Sequence, residues 1–174
     1  LLHATTPPNL SLQPEDVRVA DWLDGVITPL RAAAAAKGVS LEVDSRHSPP
    51  VATFDPRHLE QALVGIVNNA IQASPNGKAV TVAATSNHQT WQLSVTDRGA
   101  GVPSELSDRV FRPYFTTKPD GTGIGLAVAK QVVDQHAGRI RIESAADPTT
   151  GGSGARFVVE LPLAGPPKVA NTGQ

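Results

Sequence analysis

The sequence predicts an α/β domain of the α+β type, a two-layer sandwich in which about three helices cover one face of a mixed, largely antiparallel sheet. Three observations predict it. Several short segments alternate apolar and polar residues, which is the period of a half-buried strand. Longer segments repeat apolar residues at helical spacing between recognisable start and stop residues. Neighbouring strand segments are joined by short turns, and strands joined in that way pair antiparallel.

The first predicted helix covers 22–37, where apolar residues at helical spacing lead into a run of alanines. Gly38 is placed to close it, because glycine readily adopts the left-handed conformation that follows a helix end. Pro29 lies inside the pattern and predicts a kink or a break, since proline removes a backbone hydrogen bond. Ahead of this helix, a Pro- and Thr-rich arm leads to a short strand near 17–19.

The second predicted helix has the clearest start in the chain. Asp55 is a good N-cap and Pro56 suits the first helical position. Apolar residues then recur at helical spacing as far as a stop and turn at 74–77. A third helix runs from about 124 to 137 and is closed by Gly138.

The remaining predicted strands flank these two helices and one long loop. They cover 39–44, 80–84, 91–96, 139–143 and 156–161. The segment 98–122 holds many Gly, Pro and Thr residues and few periodic apolar positions. A loop this long in a compact domain is usually functional.

Composition excludes several classes of protein. With 40% hydrophobic and 18% charged residues among 174, the chain is a soluble globular type. A net charge of −1, from 15 basic and 16 acidic residues, argues against a nucleic-acid partner bound through a broad basic face. The absence of Cys excludes disulfides and thiolate metal sites. No segment reaches the roughly 18 consecutive apolar residues that span a bilayer, and the absence of Met predicts a fragment or a processed piece.

A row of polar residues is predicted on one face of the second helix. Its members fall at helical spacings of three and four: Gln61, Gly65, Asn69 and Gln72. Asn68 is about a hundred degrees around the helix from Asn69 and need not point the same way. Such a row either binds a ligand or metal or is a solvated helix face, and the residues alone leave both open.

The segment Asp97-Arg98-Gly99-Ala100-Gly101 follows an alternating strand. An Asp there can accept a hydrogen bond from an exocyclic amine, and the glycines let the backbone approach a flat ring. The same residues also suit an ordinary turn. A calcium loop is excluded, because Gly99 and Gly101 occupy positions where oxygen ligands are needed.

Two further clusters lie in the long loop and at its end. Segment 111–118 concentrates aromatic residues, which either anchor a mobile lid or form a satellite core. Segment 121–126, Gly-Thr-Gly-Ile-Gly-Leu, opens the third helix, where free backbone N–H groups can bind phosphate. It is not a dinucleotide-binding fingerprint, because Leu126 stands where the third glycine should be.

In this order and spacing, the four clusters resemble the catalytic and ATP-binding domain of two-component sensor histidine kinases. That domain belongs to the GHKL superfamily shared with gyrase-type topoisomerases, heat-shock chaperones and mismatch-repair ATPases. Segments 59–74, 97–101, 111–118 and 121–126 are similar to its N, G1, F and G2 boxes, in that order, and 154–162 is similar to its closing strand. The resemblance implies a Bergerat fold, with ATP between the helix layer and a lid formed by 98–122.

The resemblance also implies roles for individual residues at the two ends of the nucleotide. Asn69 would ligate a Mg²⁺ ion that bridges the phosphates, as the catalytic residue and metal ligand. Asp97 would accept a hydrogen bond from the adenine amino group. Gly99 and Gly101 would shape the adenine pocket.

The lid and the start of the third helix would complete the nucleotide site. Phe111 and Phe115 would seat the lid, and Lys118 would contact the γ-phosphate. The other nucleotide-binding residues that the resemblance implies are Gln72, Gly121, Thr122, Gly123, Ile124, Gly125 and Leu126.

By the same resemblance, 17–163 is the kinase domain, 1–16 an arm from the missing dimerisation and phosphotransfer hairpin, and 164–174 a disordered tail. With ATP and Mg²⁺ as cofactors, the domain would transfer the γ-phosphate to a histidine on its own hairpin, for relay to a response regulator. We expect a cytoplasmic domain that is monomeric in isolation, whether or not its bacterial-type parent protein is anchored in a membrane.

One position departs from the family's pattern. Gly65 stands where the N box normally carries an Asn, one helical turn before Asn69. Glycine supplies no oxygen for Mg²⁺ and costs about 1 kcal/mol of helix stability relative to Ala. A water could replace the lost ligand, or Gln61 could reach inward. The alternative interpretation is therefore a nucleotide-binding regulatory module with weak or no phosphotransfer.

The phosphoacceptor is also missing. His3 has the family's spacing to Pro7 but no acid follows it, so we interpret it as part of the arm. A serine-phosphorylating kinase of the anti-sigma type, from the same superfamily, ranks below the histidine kinase because of the lid motif at 115–118. The other histidines are predicted to be surface residues: His47, His58, His88 and His136.

Overall fold

Seven strands and four α-helices follow one another in the part of the chain that the computed structural model describes, residues 11–116, 123–146, 149 and 151–168. Their bounds are β1 (Glu15–Arg18), α1 (Val19–Ile27), α2 (Leu30–Ala36), β2 (Ser40–His47), β3 (Val51–Phe54), α3 (Pro56–Ala73), β4 (Ala79–Ser86), β5 (Thr90–Thr96), α4 (Gly125–Gln135), β6 (Arg139–Ser144) and β7 (Ala155–Pro162). Two single-turn 3-10 helices, Ser104–Leu106 and Arg109–Phe111, lie in the long loop. Within these residues, no helix combines the length and the apolar character needed to cross a membrane.

Five strands form the main sheet in the order β2-β4-β5-β7-β6. β2 runs parallel to β4, and the other neighbouring pairs are antiparallel. Helices α1 and α2 contact β2, α3 contacts β4 and β5, and α4 contacts β6. The predicted fold, a mixed and largely antiparallel sheet with a layer of helices, is confirmed.

A second, two-stranded sheet pairs β1 with β3 antiparallel. The strand predicted near 17–19 is β1, whereas β3 was not predicted. This strand has only four residues and follows Pro49 and Pro50, which weaken the local strand signal. Its partner lies far back in the chain, so the pairing leaves no local pattern. Thr53 in β3 also donates its N–H to the carbonyl of Leu163, at 3.0 Å, which brings the last described segment onto this sheet.

The first predicted helix is divided at Pro29, as its position predicts. α1 ends at Ile27 and α2 begins at Leu30. α1 also begins at Val19, earlier than predicted, because Val19 is fully buried on the same face as Leu23 and Val26. Gly38, just beyond α2, has a φ of +72°, the left-handed conformation expected there.

Asp55 caps α3 as the sequence predicts. Its carboxylate accepts hydrogen bonds from the backbone N–H groups of Arg57 and His58, at 3.0 and 3.1 Å. An N-cap of this kind stabilises a helix by about 1 kcal/mol. The predicted apolar stripe of the helix is buried: Leu59, Leu63, Ile66 and Ala70.

Three aromatic rings connect the helix layer to the sheet. The ring of Phe54 lies between those of Trp22 and Trp91, with centroid distances of 5.0 and 5.2 Å. Trp91 and Phe54 are almost completely buried. Burial of each ring stabilises the fold by roughly 2–3 kcal/mol, so the few aromatic residues are concentrated where the layers meet.

His136, at the end of α4, is 1% exposed, so the prediction that it is a surface residue is wrong. It falls four residues after Val132 and seven after Ala129, on the buried face of the helix. Its Nδ1 lies 2.8 Å from the carbonyl of Val132, and its Nε2 lies 3.1 Å from the backbone nitrogen of Asp55. The second contact requires Nε2 to accept, so the ring is neutral with its proton on Nδ1.

This contact fixes the relative direction of α3 and α4. The end of α4 meets the start of α3 at His136 and Asp55, whereas the start of α4 meets the middle of α3 at Gly125 and Gly65. The two helices are therefore antiparallel. The polar residues predicted to form the site lie at the Gly65 end of the pair.

Candidate functional site

A cavity of about 470 Å³ opens between the second half of α3, the loop after β5, the start of α4 and the first residues of β7. Its walls are both polar and apolar. The lining residues are Gly65, Asn68, Asn69, Gln72, Ala73, Asp97, Ala100, Gly101, Val102, Val110, Phe115, Thr116, Gly123, Gly125, Leu126, Ala155 and Phe157. Four segments that are far apart in the sequence thus meet around one space.

The face of α3 that lines the cavity is a helical stripe. It comprises Gly65, Asn68, Asn69, Gln72 and Ala73, which stand at i, i+3, i+4, i+7 and i+8. Asn68 therefore shares the wall with Asn69, a point on which the residues alone were undecided. Its i, i+3 spacing from Gly65 is the sequence signal that identifies it. The suggestion that Gln61 reaches inward is wrong, since Gln61 is exposed and does not line the cavity.

Asp97 is 2% exposed and lies in the cavity wall at the end of β5. Its Oδ1 accepts hydrogen bonds from the N–H groups of Gly99, at 2.9 Å, and Ala155, at 3.2 Å. These bonds fix the orientation of the carboxylate. Among the described residues no hydrogen bond involves its Oδ2. The arrangement can therefore accept one hydrogen bond from an amine that enters the cavity.

Gly99 supports the wall without lining it. A Cβ at this position would lie 2.5 Å from the carbonyl oxygen of Ala73, so the loop after β5 packs directly on the last turn of α3. Gly101 does line the cavity and has a φ of +79°, which favours glycine. The two glycines thus have different local roles, although the resemblance implied that both shape the adenine pocket.

The loop before β7 holds the Asp97 segment from the other side. The backbone of Gly154 lies so close to that of Asp97 that a side chain would collide with it, and Ser153 donates its hydroxyl to the carbonyl of Gly99 at 3.2 Å. Ala155 and Phe157 follow in the wall. Their only signal in the sequence was the resemblance of 154–162 to the family's closing strand.

The described part of the aromatic segment contributes Phe115 and Thr116 to the wall. Phe111 lies behind it, edge-to-face on Phe157 with ring centroids 6.3 Å apart. The guanidinium of Arg109 lies 5.3 Å from the ring centroid of Phe115. Phe115 thus faces the cavity, and Phe111 packs behind its wall.

Tyr114 has a φ of 63° and is 77% exposed, and its N–H donates to the carbonyl of Gly123 at 2.9 Å. This bond joins the loop after β5 to the residues that lead into α4. The predicted site residues Lys118, Gly121 and Thr122 lie outside the described residues.

The start of α4 contributes Gly123, Gly125 and Leu126 to the wall, whereas Ile124 is 44% exposed and does not line it. The first N–H groups of a helix have no partner within it and point towards its N-terminal end. Gly123 has a φ of +69°, and a Cβ there would lie 2.5 Å from the backbone of Tyr114. This end of the cavity is therefore built from backbone and suits an anion.

The donors in the cavity restrict how a metal ion could be held. The described residues include no group of three or more His, Cys, Asp or Glu side chains able to hold a metal. The oxygen donors on α3 are the amides of Asn68, Asn69 and Gln72, and the carboxylate of Asp97 lies beyond the far end of that helix. A divalent cation fits this end only when ligand phosphates and waters supply its other oxygens, which is how Mg²⁺ usually binds with nucleotides.

Comparison with known proteins agrees with this geometry. Residues 54–165 match the family model described as histidine kinase-, DNA gyrase B- and HSP90-like ATPase. The chain belongs to this family of ATPases, and its catalytic domain is of the sensor histidine kinase type. The family resemblance drawn from the four clusters is confirmed.

Two of the similar proteins, ZraS and MprB, are named as sensor histidine kinases. ZraS of Escherichia coli O157:H7 is 34% identical over 163 residues, which are 94% of this chain and 34% of that protein. The structure of the mycobacterial sensor histidine kinase MprB is 29% identical with a TM-score of 0.76, covering 88% of this chain and 99% of that one. Full-length ShkA in complex with AMPPNP is 27% identical with a TM-score of 0.76, covering 90% of this chain and 32% of that one. The chain thus spans about a third of the length of ZraS.

Proposed function

We propose that this domain binds ATP with Mg²⁺ and supplies the γ-phosphate to a histidine on the helical hairpin of its parent protein, for relay to an aspartate of a response regulator. The observation that carries the proposal is the order of groups along one cavity. A fixed amine acceptor, Asp97, lies at one end, amide side chains lie along α3, and a glycine-rich helix start lies at the other end. ATP presents an amine, a metal-bound phosphate chain and a terminal anion in that order.

Each residue acts by positioning. Asp97 accepts the adenine amino group, and Gly101 lets the backbone lie against the ring. The N–H groups at the start of α4 receive the phosphates, and the amide of Asn69 ligates Mg²⁺. When bound, Mg²⁺ neutralises phosphate charge and orients the chain. Phosphoryl transfer depends mainly on positioning and charge stabilisation, and these groups provide both kinds of help.

The parent protein would supply the remaining parts. The bond from the γ-phosphorus to ADP breaks as a bond to the imidazole nitrogen forms, and that imidazole lies on the hairpin. We take 17–163 as the functional unit and propose a cytoplasmic location, because ATP and response regulators are found there. The reported complex of ShkA with the ATP analogue AMPPNP supports the nucleotide assignment.

The first test of nucleotide binding is Asp97→Asn. The amide oxygen can keep the hydrogen bonds from Gly99 and Ala155, which places the NH₂ group at the position of Oδ2. Two hydrogen-bond donors, the Asn NH₂ group and the adenine amine, then face each other without an acceptor. Calorimetric titration should therefore show ATP affinity lowered by about 10-fold to 100-fold. Affinity for ITP, which carries an oxygen at that ring position, should improve relative to ATP.

Asp24→Asn is the matched control, because Asp24 is exposed on α1 and has no side-chain partner among the described residues. It should bind ATP as the wild type does. Wild-type affinity for ATP in Asp97→Asn would refute the placement of adenine.

For the transfer step, labelled ATP is supplied with the parent hairpin. Acid-labile label on the hairpin is expected, and nucleotide binding without label would contradict transfer.

A further inference from the structure

We propose that Asn68 contacts the bound Mg²⁺ with its amide oxygen, in place of the side chain that Gly65 lacks. The inference rests on the proposed function, since it requires Mg²⁺ and ATP in this cavity. It is drawn from the geometry of this chain, in which the residue one turn before Asn69 has no side chain.

The place of the missing side chain is closed by backbone. A Cβ built on Gly65 would lie 3.0 Å from the carbonyl oxygen of Gly125 and 3.4 Å from its carbonyl carbon. The start of α4 therefore packs directly against α3 at this position. A ligand that would ordinarily come from position 65 has to come from elsewhere on the same helix face.

Asn68 is the neighbouring amide on that face. It stands three residues after Gly65 and four before Gln72, and positions three and four apart adjoin on a helix surface. It lines the cavity and is exposed. No hydrogen bond of the Asn68 side chain occurs within the described residues. Asn68 therefore has an amide without a hydrogen-bond partner among the described residues, beside the place where Gly65 lacks a side chain.

The chemistry of the wall favours a cation as its target. The described residues offer no carboxylate cluster, and the Asp97 carboxylate is engaged beyond the other end of the α3 stripe. Amide oxygens are hard ligands, and Mg²⁺ accepts one or two protein oxygens while waters and phosphates complete its shell. Asn68 and Asn69 together supply two such oxygens.

The test is calorimetric titration with AMPPNP, once with Mg²⁺ and once with EDTA. For the wild type, Mg²⁺ should raise the affinity. Asn68→Ala should reduce that gain by about tenfold or more and leave the affinity in EDTA unchanged. Asn68→Asp retains an oxygen ligand and should keep the gain, while its charge lowers the affinity in EDTA. Gln61→Ala removes an amide from the same helix outside the cavity and should change neither value.

Two outcomes would overturn the inference. An unchanged Mg²⁺ gain in Asn68→Ala means that Asn68 does not contact the metal. An equal loss with and without Mg²⁺ means that it contacts the nucleotide or only shapes the cavity. The proposed function is judged separately by the wild-type titration: a wild type that does not bind AMPPNP refutes both, and one that binds with a Mg²⁺ gain leaves Asn68→Ala to decide this inference alone.

Discussion

Gly99 shows how a single missing side chain permits the site to form. Its backbone lies against the carbonyl of Ala73, and a Cβ would approach that oxygen to 2.5 Å. Neither side can yield easily, because one is the end of α3 and the other is the loop that carries Asp97. Gly99→Ala should therefore lower the free energy of unfolding by about 1–3 kcal/mol, measured by urea denaturation.

Gly25 provides the control for this substitution. It lies inside α1, and a Cβ there would meet nothing within 4 Å. Alanine is the better helix former, so Gly25→Ala should raise the free energy of unfolding by about 0.5–1 kcal/mol. If both substitutions changed stability in the same direction, the close approach at Gly99 would not be the cause.

Some residues of the site could be identified from the sequence, and others could not. Asp97, the glycines and the amides of α3 were singled out by their spacing and their place at the ends of elements, and the family motifs then gave them roles. The contribution of Gly154 was not, because it depends on how closely two backbones approach. Asn68 was within reach of the helical periodicity alone, but its angle of about a hundred degrees from Asn69 left its direction open.

At the scale of elements, α3 and α4 form an antiparallel pair joined by polar groups at one end. Burial lowers the pKa of His136, and the hydrogen bond to Val132 and the charge of Asp55 only partly oppose it, while nearby His58 lowers it further. Burial raises the pKa of Asp55, but hydrogen bonds from Gln13 and His58 outweigh it, so that this pKa lies below its usual 3.8. The pair is therefore held by a neutral imidazole and an ionised carboxylate.

The lowered pKa of His136 predicts a pH dependence of stability. Above the ordinary value of 6.5 both the folded and unfolded states are neutral at this residue. As the pH falls below 6.5, the unfolded chain takes up a proton that the folded chain resists, so stability falls, by up to about 1.4 kcal/mol per pH unit. Urea denaturation at pH 7.5 and pH 5 measures this loss.

His136→Gln isolates the contribution, because glutamine can keep a donor and an acceptor but does not titrate. Its stability should fall less than that of the wild type between the two pH values. Asp55 does not interfere, since its carboxylate loses its contribution only below about pH 4. Equal losses in both proteins would show that His136 does not control this range.

Prediction of the elements succeeded where the signal was local. The break at Pro29, the cap at Asp55 and the alternating strands were all visible in a few consecutive residues. β3 and the burial of His136 were missed because both depend on partners far away in the chain. In each case a short segment carries too little information to reveal which distant strand or helix it meets.

For the molecule as a whole, the surface predicts a monomer. The exposed large apolar side chains of the described residues are Val51, Tyr114 and Ile124. Stable dimers usually bury larger and continuous apolar areas. Sedimentation should therefore give a mass near 18.1 kDa at micromolar concentration, and a stable dimer would contradict this. Addition of ATP should not change the result, because the cavity lies within one chain.

The pairing of β1 with β3 has a mechanical consequence. Gln13, just ahead of β1, donates its N–H to Asp55 at 2.8 Å, and the first rung of the ladder joins Glu15 to Phe54. Tension in the incoming chain would break this hydrogen bond and this pair first, because they lie nearest to the end that is pulled. Since β3 leads directly into α3, the force would then reach the first turn of α3 before any residue of the cavity. Only through α3 would it reach the cavity wall.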